Sequence, residues 1–258
     1  MLPECEPPTA AIECSAVAIL FASDLHLDAS TPESTSAFLA WLGGDVRRAE
    51  SLYLLGDIFE TWIGDDDPDP HHELVCEALR ATVAAGVPVF ALPGRRDFLL
   101  GAGFEARSRC RLLPDPVVVE LQGRVVLLTH GDALCTDDLP YQELRTAVRD
   151  PQWQRRMLEL PVAQRQWLAG AARAGSRAHT ATQRPAIMDV NPAAVEAVLK
   201  ASGAAWLIHG HTHRPGRHAV RVDGREACRL VLDAWYERAN ALEVEAAVAT
   251  ARSWPFAP

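Results

Sequence analysis

Five short apolar runs in this chain break off at a carboxylate, a glycine or a histidine, and this repeated exit constrains the fold most. Ala16–Ala22 ends at Ser23-Asp24, with His26 two residues on. Ser51–Leu55 ends in Gly56-Asp57, and Val87–Leu92 runs into Pro93-Gly94-Arg95-Arg96-Asp97. Val125–Thr129 runs into His130-Gly131-Asp132, and Trp206–Ile208 into His209-Gly210-His211-Thr212-His213. Short apolar runs bounded by turn residues predict buried strands. Ligands in open α/β sheets gather at the carboxyl ends of strands. Five metal-competent exits are therefore hard to assign to packing.

Between these runs the spacing changes. Thr35–Glu50, with Phe38, Leu39, Leu42 and Val46, predicts a helix, and so does His71–Ala85, which stops at Gly86. Val117–Leu121 and Val125–Thr129 flank Gln122-Gly123 as a hairpin, and His218–Val222 and Arg229–Leu232 flank Asp223-Gly224 likewise. Early strand–helix alternation followed by hairpins predicts a layered α/β sandwich with mixed sheets. A chain of 258 residues suits one large domain or two small ones, and 48% apolar with 23% charged residues is ordinary globular composition. Residues 1–14 read as a disordered leader and 15–258 as one domain. Within it, Leu139–Arg184 carries no strand signal. Eight arginines and three acids make that segment +5, whereas the whole chain is −9. It reads as a basic helical cap over about 139–185, with Trp153 and Trp167 among its leucines. Two uses remain open: a solvated helical hairpin, or a lid for an anionic, partly apolar ligand or an anionic membrane surface.

The net charge argues against nucleic acid as a general partner, since that affinity comes mainly from neutralising phosphates. None of the six cysteines forms a C-x-x-C pair, which argues against zinc ribbons and fingers. The acidic, proline-containing opening lacks the positive start of a signal peptide, and no apolar run approaches a membrane span. A cytoplasmic protein with reduced thiols is the expectation.

Imidazole and carboxylate together suit manganese, iron, zinc or nickel. Asp24 and His26 sit two apart at one strand exit, as do His211 and His213 at another, so each pair is expected to face one side. Asp57 is placed to bridge two ions, and a metal pair activates water and clamps both oxygens of an in-line displacement at phosphorus. Other candidates take plainer readings. Asp65-Asp66-Asp67-Pro68 reads as a solvated turn, His71, His72 and His179 as surface residues, and His218 as a strand residue. Trp62, Trp206 and Trp235 read as core, and Cys135 has no evident activating partner.

The ordered set D-x-H, G-D, G-x-x-D, H-G-D, G-H-x-H resembles the calcineurin-like metallophosphoesterases. The stretches FASDLHLD, LYLLGDIFETWIGDDDP, RRDFLLG, THGDALCTDD, AIMDVN and WLIHGHTHRP are similar to the UDP-2,3-diacylglucosamine hydrolase family of lipid A biosynthesis, over residues 17–257. The resemblance implies a sandwich of two mixed β-sheets flanked by helices, with the basic segment as an acyl-binding cap. It implies a manganese-dependent enzyme, peripheral on the cytoplasmic face of the inner membrane through that cap; a monomer is the expectation. Its reaction would be attack of metal-bound hydroxide on the α-phosphorus of UDP-2,3-diacylglucosamine, giving UMP and 2,3-diacylglucosamine 1-phosphate. By position, Asp24, His26, Asp57 and His213 would hold one Mn2+, and Asp57, His130 and His211 the other. Substrate contacts would fall on Arg96, Asp138, Ser176 and His211. Many relatives carry a histidine as general acid where this chain has Arg96, which donates no proton at neutral pH. A sugar 1-phosphate needs no such acid to leave, its second pKa being near about 6. A fixed cation serves that reaction better.

The chain departs from the family's pattern at position 95, where an asparagine ligand to the second metal is expected and Arg95 stands instead. A guanidinium has no acceptor. Arg95 either turns out while water or substrate completes the second site, or lends its charge in place of that metal, or impairs the site. Thr180 and Gln183 stand where the family has an asparagine and a lysine, and Arg177 or Arg184 could supply the missing charge. Two alternatives therefore stand beside the main expectation. One is a phosphoesterase for another nucleotide diphosphate or phosphodiester. The other is a lipid-nucleotide-binding relative inactivated at Arg95.

Overall fold

The computed structural model describes residues 17–182 and 189–256; the leader expected over 1–14 lies outside them. The first sheet contains β1 (Ile19–Ala22), β2 (Ser51–Leu55), β3 (Val89–Leu92), β4 (Arg111–Leu112), β10 (Arg238–Glu245) and β11 (Val248–Pro255), in the order β11-β10-β1-β2-β3-β4. The second contains β5 (Val117–Leu121), β6 (Arg124–Leu128), β7 (Trp206–His209), β8 (Gly216–Val222) and β9 (Arg225–Val231), in the order β5-β6-β7-β9-β8. Both are mixed: β1, β2, β3 and β4 run parallel, with β10 antiparallel to β1 and β11 antiparallel to β10, and β6, β7 and β9 run parallel between antiparallel β5 and β8.

Alternation along the strands explains the unbroken apolar runs. Ile19 and Phe21 of β1, Tyr53 and Leu55 of β2, and Leu92 of β3 face Leu128, Trp206 and Ile208 between the sheets. Their alternates Leu20, Ala22, Leu52, Leu54 and Val89 pack outward on α1 (Pro32–Gly43), α2 (Pro70–Ala84) and α3 (Ala102–Ser108), through Phe38, Trp41, Val75, Leu79 and Phe104. On the far side, Leu127 and Leu207 pack against Val195 and Leu199 of a late helix. The result is four layers, helix–sheet–sheet–helix. Trp62, Trp206 and Trp235 are buried as expected.

The cap is α4 (Leu139–Arg149), α5 (Pro151–Leu158) and α6 (Val162–Thr182), and the late helix is α7 (Pro192–Ser202). Each of α4, α5 and α7 opens on a proline-containing first turn behind an Asp or Asn cap, which accepts backbone N–H groups at 2.8–3.2 Å. Asp138 is one of these caps, taking Tyr141 N at 3.2 Å.

Three expectations need correction. The helix read as Thr35–Glu50 starts at Pro32 and ends at Gly43; Gly44 breaks it, and a tighter turn carries Asp45–Arg48. His72 is buried, its ring edge-on to Phe59 and tilted against Trp62, because helix α2 turns it into the core. Asp65–Asp67 is a turn only partly in water, with Asp66 and Pro68 exposed. Asp65 accepts Gly101 N, Gly103 N and Trp62 Nε1, Asp66 pairs with the buried Arg165, and Asp67 is itself buried.

Candidate active site

The carboxyl ends of β1, β2 and β3 meet those of β6 and β7 at one edge of the sandwich. Asp24, His26, Asp57, His211 and His213 all take left-handed backbone angles, with φ between 48° and 66°. Such conformations are costly for residues with a Cβ and concentrate at functional sites. They turn the side chains inward where an extended strand would splay them. Close backbone approach completes the cluster: a Cβ on Gly94 would strike Asp57, and one on Gly210 would strike Ser23 and Asp24.

Donor atoms of Asp24, His26 and His213 lie together, and so do those of Asp24, Asp57 and His130. Asp57 Oδ2 stands between two imidazoles, 3.9 Å from His26 Nε2 and 3.7 Å from His130 Nε2. Both nitrogens are buried and lack a hydrogen-bond partner among the described residues. Buried polar atoms are ordinarily satisfied, so two aimed at one carboxylate are what a divalent cation would complete. The donor set of imidazole and carboxylate fits it as well. His211 joins from the side, its ring centroid 5.0 Å from that of His130.

The backbone holds these donors in place. His130 Nδ1 lies 2.9 Å from Leu55 O, leaving Nε2 for the cluster. Asp24 Oδ2 accepts from Ser23 Oγ at 2.7 Å and His211 N at 2.8 Å, and Asp24 Oδ1 faces His213 Nε2 at 3.2 Å. Asp97 accepts Gly94 N at 2.6 Å, Ile58 N at 2.7 Å and Asp57 N at 3.3 Å, while Asp57 Oδ1 accepts Arg96 N at 2.6 Å. Two buried carboxylates thus lace the loops after β2 and β3 together.

Electrostatics follow the same arrangement. Burial would raise the Asp24 carboxyl, but the His213 hydrogen bond and the His130 charge hold it well below the usual range. Burial disfavours charge on His130, yet Asp57, Asp24 and Asp132 push it up to about 9. His211 goes the other way, pushed down to about 4 by burial and by His130. The buried carboxylates thus favour positive charge beside Asp24 and Asp57, while burial and His130 keep His211 neutral.

A mostly apolar cavity of about 550 Å³ opens between cap and body, walled by Phe98, Leu144, Trp153, Met157 and Leu168. Arg95, Arg96 and Glu60 line the same cavity. Arg95 lies over the Tyr141 ring at 4.7 Å. It has turned toward the cavity wall, and both donor clusters form without it. Arg96 Nη1 is 3.9 Å from Glu60 Oε1. Asp138 and His211 do not line the cavity. Ser176 and Thr180 are on α6, and Gln183 lies outside the described residues.

Four contributors escape sequence reasoning. Glu60 contacts His26 Nδ1 at 3.0 Å. Tyr141 donates to Asp132 at 2.7 Å and stacks on His211. Arg149 bonds the carbonyls of Pro93 and Gly94. Tyr236 stacks on His26. Only Glu60 has a signal in the sequence, three residues past Asp57 in LYLLGDIFETWIGDDDP.

The layered sandwich with metal-competent strand exits defines a phosphoesterase, and the chain belongs to the calcineurin-like phosphoesterase family, whose model matches residues 17–215. Within it, the chain belongs to the family of UDP-2,3-diacylglucosamine hydrolases. It is 47% identical to the UDP-2,3-diacylglucosamine hydrolase of Stenotrophomonas maltophilia (strain R551-3) over 88% of this chain and 94% of that one. It is 45% identical to that of Enterobacter sp. (strain 638) over 93% of this chain and all of that one. Among solved structures, a chain described as a novel archaeal phosphodiesterase aligns at 12% identity with a TM-score of 0.46, covering 92% of this chain and 99% of that one.

Proposed function

We propose that this protein hydrolyses UDP-2,3-diacylglucosamine to UMP and 2,3-diacylglucosamine 1-phosphate. One observation carries the reading: a large apolar cavity is lined by Arg95, Arg96 and Glu60, and Glu60 touches His26 of the metal-ready donor cluster. The cavity suits acyl chains, the arginines the diphosphate, and the donors the scissile phosphorus.

Asp24, His26, Asp57, His130, His211 and His213 would hold the divalent metal, which we take as manganese. When bound, it lowers the pKa of water and neutralises phosphoryl charge. Water attacks the α-phosphorus in line and gives up a proton to solvent; the new P–O bond forms as the bond to the bridging oxygen breaks. That oxygen leaves with its electron pair on the sugar phosphate, which needs no proton to depart. Arg96, fixed through its N–H to Asp57, stabilises charge on the leaving phosphate. Hydrolysis in 18O-labelled water is expected to place the label in UMP. Label in the sugar phosphate would contradict attack at the α-phosphorus.

Arg95 serves the same phosphates from the cavity wall. Its replacement by alanine is expected to raise KM about 10-fold, the loss of one charge-assisted hydrogen bond, with bound metal unchanged. Metal analysis and initial rates check this. Higher activity in Arg95→Asn would instead show that the guanidinium impairs the site.

Leu139, Leu144, Leu158 and Trp167 are exposed on the cap, Trp167 at 72%, among its arginines. This supports peripheral contact with an anionic membrane. No helix among the described residues is long and apolar enough to cross one.

A further inference from the structure

An exposed aromatic ring stands over the metal-ligand cluster. Tyr236 lies between β9 and β10 and is 61% exposed. Its ring is 5.4 Å from His26, interplanar angle 9°, and 5.1 Å from His213, edge-on at 72°. The segment carrying it is tied down. Trp235 N donates to Asp24 O at 3.0 Å, Trp235 Nε1 donates to Asn240 O at 2.6 Å, and Asn240 Nδ2 returns to Ala234 O at 2.9 Å. Trp235 itself is buried against Phe38 and Trp41. A rigid backbone therefore presents a large flat side chain to solvent at the mouth of the site.

Its position along the substrate is set by connectivity. The cavity wall includes Glu60, which contacts His26, and His26 contacts Tyr236; Tyr236 does not line the cavity. With a lipid sugar in the cavity and its diphosphate over the donors, a nucleoside that leaves past His26 and His213 meets Tyr236. Tyr236 is the ring that waits there. We propose that Tyr236 is the stacking platform for the nucleobase, so that this face of the site is a nucleoside subsite distinct from the lipid cavity. The proposal rests on the nucleotide reading above. Stacking on an aromatic ring tolerates any base, so the subsite selects for a nucleotide over a bare sugar phosphate and little for base identity.

The test is equilibrium binding to the manganese-loaded full chain of three probes: UMP, ribose 5-phosphate and 2,3-diacylglucosamine 1-phosphate. Wild type is expected to bind UMP about 10-fold or more tighter than ribose 5-phosphate. Tyr236→Phe should keep that gap. Tyr236→Ala should close it while leaving the affinities for ribose 5-phosphate and the lipid phosphate within about twofold. A gap that persists in Tyr236→Ala, or its absence in wild type, overturns the proposal. So does equal weakening of all three probes, since that marks Tyr236 as only a support for His26 and His213. Should the lipid substrate prove not to be cleaved while the base-dependent gap holds, the subsite stands and the substrate assignment alone falls.

Discussion

Asp57→Asn is expected to lower kcat/KM by about 10³-fold or more, equivalent to about 4 kcal/mol of transition-state stabilisation. Asp57 Oδ2 lies within 4 Å of both His26 Nε2 and His130 Nε2. An asparagine can keep its carbonyl on Arg96 N, but it then turns an NH2 toward the two imidazoles. A donor there cannot ligate a cation. The loop should survive, because Asp97 holds the backbone at Asp57 and Ile58 independently. The variant should therefore melt close to wild type in chelator, retain less metal after dialysis, and release almost no UMP. Activity within tenfold of wild type, at matched metal content, would remove Asp57 from its central place.

Arg165→Met is expected to loosen the cap and leave the metal cluster intact. The Arg165 guanidinium is buried at the junction of α6 and the body. It donates to Ile63 O at 2.6 Å, Leu160 O at 2.9 Å and Asp66 Oδ1 at 2.8 Å, and also to Asp66 Oδ2. Methionine approximates its length but leaves two carbonyls without a donor. The Asp66 carboxylate faces water and can resolvate, so the loss falls mainly on those carbonyls and on packing. About 2–4 kcal/mol follows, or a melting point roughly 5–10 °C lower for a chain of this size. Because α6 supplies Leu168 and Ala172 to the cavity, KM for the lipid substrate should rise while metal content stays constant. Faster proteolysis should appear within 139–182. An unchanged melt with unchanged KM would mean that Arg149 and Arg173, which bond Gly94 and Thr61, suffice to hold the cap.

The metal donors were legible because their environment is strongly patterned. A run buried on both faces leaves no polar residue until the strand ends, so Asp24, Asp57 and His130 announce themselves. How they converge was not legible. Asp24 and His26 meet through left-handed turns, and no residue type in D-x-H signals that conformation. The C-terminal hairpin of β10 and β11 also escaped reading. Its alanines and glutamates have low strand propensity, and β11 is an edge strand mostly open to solvent, so no alternation marks it. His72 and Asp65–Asp67 were misread for a related reason. Polar residues buried by long-range partners such as Arg165 and Gly103 look like surface until those partners are placed. Tyr236 carries no local signal either, since its role depends on three strand exits meeting beside it.

The most direct test of the account is UMP release from UDP-2,3-diacylglucosamine by the purified chain, with and without chelator and with manganese restored. The account predicts turnover that chelator abolishes and manganese recovers, with Arg95 as it stands. Tight binding of the lipid nucleotide with no metal-dependent UMP release would contradict it, and would make the protein a binding relative that has lost the reaction.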